Sequence, residues 1–102
     1  LKDMIAVGGF KVFPSQVEDV MLENPAVKEA LVIGVPEPYL GEVPRIYVTL
    51  TEPGSTDGES LKTWLNAHVG KHERVDQVVV RDALPRTIIG KLDRKALRAE
   101  VL

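Results

Sequence analysis

Three short segments place reactive or ligand-accepting residue types at spacings with a chemical use. Arg86-Thr87-Ile88-Ile89-Gly90-Lys91 puts a lysine directly after a glycine at a loop end, where an ammonium group reaches outward from pliable backbone. The segment comes close to the phosphate-cradling pattern G-x-x-x-x-G-K-[ST]. However, Pro85 stands at the first glycine position, Leu92 replaces the hydroxyl residue that would hold magnesium, and a single glycine remains to present backbone N–H groups. What survives is a mobile charge suited to an anionic reacting centre supplied by another domain; the plainer reading is a solvated lysine before a helix. Gly8-Gly9 beside Lys11 is the second segment: two residues without Cβ let a slender ligand pass against bare backbone, with a cation nearby for phosphate. A tight hairpin turn explains the same glycines. His68 and His72 are spaced i, i+4 as metal ligands on a helix would be. Gly70 between them and the missing glutamate of H-E-x-x-H spoil that pattern, and metal ligands are not expected here.

The 102 residues bound what these segments can do. Such a length is one small domain with one core, too short for a large self-contained enzyme. The absence of cysteine excludes disulfides, thiolate metal sites and thiol nucleophiles, with the reducing cytoplasm as the default compartment. Apolar residues make up 44% of the chain, in runs far short of the roughly 20 needed to span a bilayer, and no signal-peptide pattern opens it. A start at Leu1 instead of Met suggests excision from something longer. Residues 81–98 carry Arg81, Arg86, Lys91, Arg94, Lys95 and Arg98 against Asp82 and Asp93, a local charge of +4 on a body of −6. A basic C-terminal segment on an acidic body suggests an anionic partner or, as plainly, a solvated last helix.

Hydrophobic periodicity supplies the elements that must position these segments. Met4-Ile5-Ala6-Val7, Gly8-Gly9 and the alternating Phe10-Lys11-Val12-Phe13 predict a two-stranded ribbon. Pro14 opens a helix over about 14–23 with Val17, Val20 and Met21 inward, ended by Asn24-Pro25, while Glu18, Asp19 and Glu23 read as its solvated face. Val27–Val35 and Val43–Thr51 read as two antiparallel strands. Thr56 and Glu59 have capping-box spacing ahead of a helix with Leu61, Trp64, Leu65, His68 and Val69 inward. Val75–Val80 is a third strand, residues 82–90 are irregular, and Asp93 caps a last helix with Leu97 and Val101 inward. The sum is α+β: a small antiparallel sheet with an N-terminal two-stranded ribbon, covered by two to three helices.

These segments also fall in a familiar order. Lys2-Asp3-Met4-Ile5, Gly8-Gly9-Phe10-Lys11-Val12-Phe13-Pro14 and Gln16-Val17-Glu18-Asp19-Val20 resemble the start of the small C-terminal domain of acyl-CoA synthetases, members of the adenylate-forming superfamily. Asn24-Pro25-Ala26-Val27, Glu29-Ala30, Val32-Ile33-Gly34-Val35-Pro36, Gly41-Glu42, Leu84-Pro85-Arg86-Thr87, Gly90-Lys91, Arg94-Lys95 and Leu97-Arg98 continue the match over nearly the whole chain.

The resemblance implies a mobile lid domain, with a large N-terminal domain carrying most of the ATP, CoA and Mg2+ sites. It implies activation of a carboxylic acid, fatty-acid-like, to acyl-AMP and transfer to CoA. Lys91 matches the adenylation lysine, Gly8 and Gly9 the loop along the pantetheine tunnel, Lys11 a basic position near CoA phosphates, and Lys2 the hinge. The loop also resembles sites inactivated by lysine acetylation, which would make an acetyltransferase a partner at Lys91. One departure stands out: many members have Tyr-Lys-Val-Pro-Lys where this chain has His72-Glu73-Arg74-Val75-Asp76. Two alternatives are adenylation for a carrier-protein phosphopantetheine and a stand-alone phosphate- or nucleic-acid-binding module. The five aromatic side chains, none after Trp64, give the last little for base stacking.

Overall fold

A computed structural model describes residues 3–102; Leu1 and Lys2, the expected hinge position, lie outside the described residues. Strand β1 (Ile5–Val7) folds onto β2 (Phe10–Val12) through Gly8 and Gly9, both at positive φ, +55° and +87°. Two left-handed central residues are what a two-residue hairpin matched to strand twist requires. Helix α1 (Pro14–Met21) starts with Pro at its first turn, where a missing N–H costs nothing, and ends two residues before the expected boundary. Strands β3 (Val27–Glu37) and β4 (Gly41–Leu50) form the long antiparallel hairpin predicted from their β-branched runs. Helix α2 (Gly58–Asn66), a 3-10 turn at Lys71–Glu73, β5 (Val78–Val80) and α3 (Arg94–Val101) complete the chain.

The expected α+β architecture holds, with β3 along one edge of β4 and both β1 and β5 on the other. Strand β5 is the one that runs parallel to its neighbour, a pairing made possible because α2 carries the chain back across the sheet after β4.

Alternate residues of β3 supply two separate cores. Ala30 and Val32 pack with Val17 and Met21 of α1, Leu61 and Leu65 of α2, and Ile5, Val7 and Val12 of the ribbon. Leu31, Ile33 and Val35 face Tyr47, Leu84 and the wholly buried Leu97 of α3. Burial on both faces is why this strand reads as a near-continuous apolar run and not as an alternation.

Tertiary contacts override several of these local expectations. The α2 cap is Asp57, whose carboxylate accepts the Ser60 N–H at 2.8 Å, one residue beyond the predicted Thr56. Trp64 is only partly buried; His68 is exposed and stacks on it with ring centroids 4.3 Å apart. Val101 lies at the exposed end of α3, leaving Leu97 as the residue of that helix buried against the sheet. Glu18 is not part of a solvated face: its side chain is only 12% exposed and is held by Arg94.

The Ser60 backbone N–H, and then its hydroxyl, hold the Asp57 carboxyl below the ordinary carboxylate range. A depressed folded-state pKa contributes stability that is present above the unfolded value of about 3.9 and is lost as pH falls through the folded value. Asn caps helices as well as Asp and does not titrate. Thermal melts followed by circular dichroism should therefore show Asp57→Asn matching the parent at pH 7. Below about pH 4 the variant should lose stability less steeply than the parent.

Candidate functional site

Lys91 sits at the end of a small hairpin that the irregular-looking sequence conceals. Arg86 and Leu92 bridge antiparallel, Thr87 N–H donates to the Lys91 carbonyl at 2.8 Å, and Gly90 N–H donates to the Thr87 carbonyl at 2.9 Å. Gly90 adopts φ +88°, as the residue closing a three-residue hairpin tip must. Arg86 braces this tip from within, donating to the Gly90 carbonyl at 2.6 Å while its other arm pairs with Glu29 of β3. Glu29 also accepts the hydroxyl of the buried Thr49 at 3.0 Å, so the hairpin is moored to the end of the β3–β4 ladder. Ile88 is fully exposed and Ile89 nearly so.

The basic segment divides sharply once its partners are known. Arg81 pairs with Glu100, Arg86 with Glu29, and Arg94 with Glu18 and Asp3, while Arg98 donates to the Gly34 carbonyl at 2.8 Å. Lys91 and Lys95 take part in no ion pair among the described residues and are exposed. The +4 stretch is thus largely a set of internal clamps, and the charge it offers outward comes from lysines.

The glycine turn lies at the other end of the β3–β4 hairpin. Gly8 N–H donates to the Leu40 carbonyl at 2.8 Å, and a Cβ on Gly8 would meet Leu40 Cδ2 at 3.0 Å. Val7, Gly8, Phe10, Leu40, Lys71 and His72 line a shallow groove of about 280 Å³ there. Phe10 and His72 stack with centroids 3.6 Å apart and form one wall. Lys11, next after Phe10 in an extended strand, points to the opposite face of the ribbon, so Lys71 is the cation lining the groove. Sequence reasoning missed Lys71 and Leu40; the signal, apolar Leu40 beside a Gly41 at φ +86°, becomes legible only when the ribbon is docked against that turn.

The two candidate sites are far apart. Glu29, where the Lys91 hairpin is moored, and Glu37, at the turn against which Gly8 packs, are separated by about 26 Å of β3 at roughly 3.3 Å per residue. His68 and His72 are not brought together as a pair: α2 has ended before His72, and each imidazole stacks on a different aromatic ring. The unusual 72–76 stretch has structural partners. Asn66 brackets Val75 through its N–H and carbonyl at 2.9 and 3.0 Å, and Asp76 meets Arg45 with two hydrogen bonds.

This arrangement has counterparts. The family model for the AMP-binding enzyme C-terminal domain matches residues 16–91. The chain belongs to that family. This AMP-binding C-terminal domain is 39% identical, over 97% of its length, to a long-chain-fatty-acid–CoA ligase of Escherichia coli O6:H1. It is 42% identical to a medium/long-chain-fatty-acid–CoA ligase of Mycobacterium tuberculosis, again over 97% of its length. Among solved structures, an acyl-CoA synthetase of Brucella canis superposes with a TM-score of 0.84 at 38% identity over 97% of the chain. The domain spans 18–19% of the length of these proteins.

Nothing lies within 4 Å of a Cβ built on Gly90, so the strain of its left-handed backbone is the whole cost of replacing it. Gly90→Ala should lower stability by about 1 kcal/mol in urea titrations, with the best-protected amides of β3 and β4 exchanging about fivefold faster and those of Thr87–Lys91 accelerated at least as much.

Proposed function

We propose that the domain is the mobile lid of an acyl-CoA synthetase acting on a fatty acid, and that its two ends serve two half-reactions in turn. In the first, a carboxylate oxygen attacks the α-phosphorus of ATP, forming acyl-AMP as pyrophosphate leaves. In the second, the thiol of CoA attacks the acyl carbon and AMP departs. The observation that carries this reading is the placement of Lys91: a lysine in no ion pair among the described residues, on a braced hairpin tip whose mooring at Glu29 lies about 26 Å along β3 from the turn that docks Gly8. Groups that far apart on one rigid sheet cannot attend one reacting centre together, and a lid that rotates lets each attend it in turn.

Lys91 supplies fixed positive charge where negative charge gathers between carboxylate and α-phosphate, which is electrostatic stabilisation and not proton transfer. Its ammonium is also the group that acetylation would neutralise, making a lysine acetyltransferase a regulatory partner. Gly8 and Gly9 offer bare backbone for the pantetheine arm of CoA. Lys71 in the groove and Lys11 on the far face of the ribbon provide charge toward its phosphates. Among the described residues no group of three or more His, Cys, Asp or Glu side chains is placed to hold a metal ion, and the Mg2+ of the reaction is assigned to the large domain. No helix among the described residues is long and apolar enough to cross a membrane.

In the complete ligase, Lys91→Ala should slow acyl-adenylate formation about a hundredfold or more, on the scale of deleting one preorganised charge-stabilising donor. Thioester formation from synthetic fatty-acyl-AMP and CoA should stay within a few fold of the parent. Equal loss of both steps would contradict the division of labour.

A further inference from the structure

Arg94 is the meeting point of four parts of the domain. Its Nε donates to the Val32 carbonyl of β3 at 2.9 Å, one terminal nitrogen to Glu18 of α1 at 2.6 Å, and the other to Asp3 at 2.7 Å. Glu18 uses the same carboxylate oxygen to accept the Val32 N–H at 2.8 Å. Arg94 opens α3, directly after its cap Asp93, and Asp93 N–H donates to the Pro85 carbonyl at the base of the Lys91 hairpin. Two residues therefore lie between Lys91 and an arginine whose guanidinium also holds Asp3, just ahead of β1.

The two functional ends differ in how they are tied to that entry point. From Asp3 the chain runs directly through β1 to Gly8, so the glycine turn follows the entering segment covalently and through strand pairing. The Lys91 hairpin is 88 positions away in sequence, and its nearest direct link to the entry is the Arg94–Asp3 ion pair.

We propose that Asp3 is a positioning residue for the adenylation half-reaction, its ion pair with Arg94 transmitting the rotation of the entering chain to the Lys91 hairpin. This rests on the lid reading above. A loose link leaves the entry segment and the hairpin free to shift relative to one another, and displacement of about 1 Å is enough to weaken a group that must meet a reacting centre. The Asp3 side chain is 64% exposed, so the effect is modest: an exposed pair is worth up to a factor of about five.

The test uses the complete ligase with Asp3→Asn, Asp3→Glu and Lys91→Ala measured side by side. Adenylation is followed as pyrophosphate release before CoA is added, and thioester formation is started from synthetic fatty-acyl-AMP. Asp3→Asn should lower the adenylation rate about threefold to fivefold. It should leave the thioester rate within twofold and lower the thermal midpoint by no more than about a few degrees, and Asp3→Glu should recover most of the adenylation rate. An equal fall in both half-reactions, or no fall in either, would overturn the proposal while Lys91→Ala still abolishes adenylation. Full adenylation by Lys91→Ala would instead overturn the lid reading on which the proposal rests.

Discussion

Val32 turns both its N–H and its carbonyl toward the open edge of β3, and both are taken by side chains: the carboxylate of Glu18 accepts one and the guanidinium of Arg94 donates to the other. An exposed strand edge is a template for pairing with another chain, and here two helices supply the missing neighbour. Arg98 continues the seal at the Gly34 carbonyl. Burial opposes the charge on Arg94, but the hydrogen bond and charge of Glu18, joined by Asp3, more than offset it, so its pKa is raised above the ordinary arginine value. Removing Arg94 would leave the largely buried Glu18 carboxylate without its ion-pair partner, and removing Glu18 would leave Arg94 with the exposed Asp3 alone; the first loss costs more than the intact pair contributes. The node also holds α3 to the sheet beside Leu97, and α3 in turn fixes the base of the Lys91 hairpin.

From that constraint the two-ended character of the domain follows. The β3–β4 hairpin acts as a rigid bar, with the glycine turn docked at Leu40 and the Lys91 tip moored at Glu29. Both ends use positive-φ glycines, but for different ends: Gly8 keeps a side chain away from Leu40, whereas Gly90 shapes a tip that nothing crowds. Chemistry needing two different environments at one reacting centre is served by turning such a bar, not by rebuilding it.

Much of this was legible in the sequence. The ribbon, the α1 start at Pro14, the β3–β4 pair and the Asp93 cap all follow from local rules, and the order of motifs pointed to the family. What escaped were matters of partner and direction. Glu18 looks like one more acid on a wet helix until Arg94, 76 positions later, is brought against it. Four arginines counted as a basic surface are engaged with carboxylates or carbonyls, because charge along a sequence says nothing about which groups tertiary packing will pair. Lys71 escaped as well: it is far from the glycines in sequence and reaches the groove from the 3-10 turn, whereas Lys11, close to them in sequence, stands on the other face of the ribbon.

Distance measurements in the full-length protein test the proposed turning bar most directly, and they are simple to arrange because this stretch of chain has no cysteine of its own. Spin labels at Lys95→Cys, near the Lys91 hairpin, and at Tyr39→Cys, near the glycine turn, would each be paired with one fixed label beside the ATP site of the large domain. With an inert acyl-adenylate analogue bound, the Lys95 label should lie nearer the fixed label than the Tyr39 label does. With a CoA thioester product analogue and AMP, the order should reverse. If the same label stays nearer in both states, the domain does not present its two ends in turn, and the account fails.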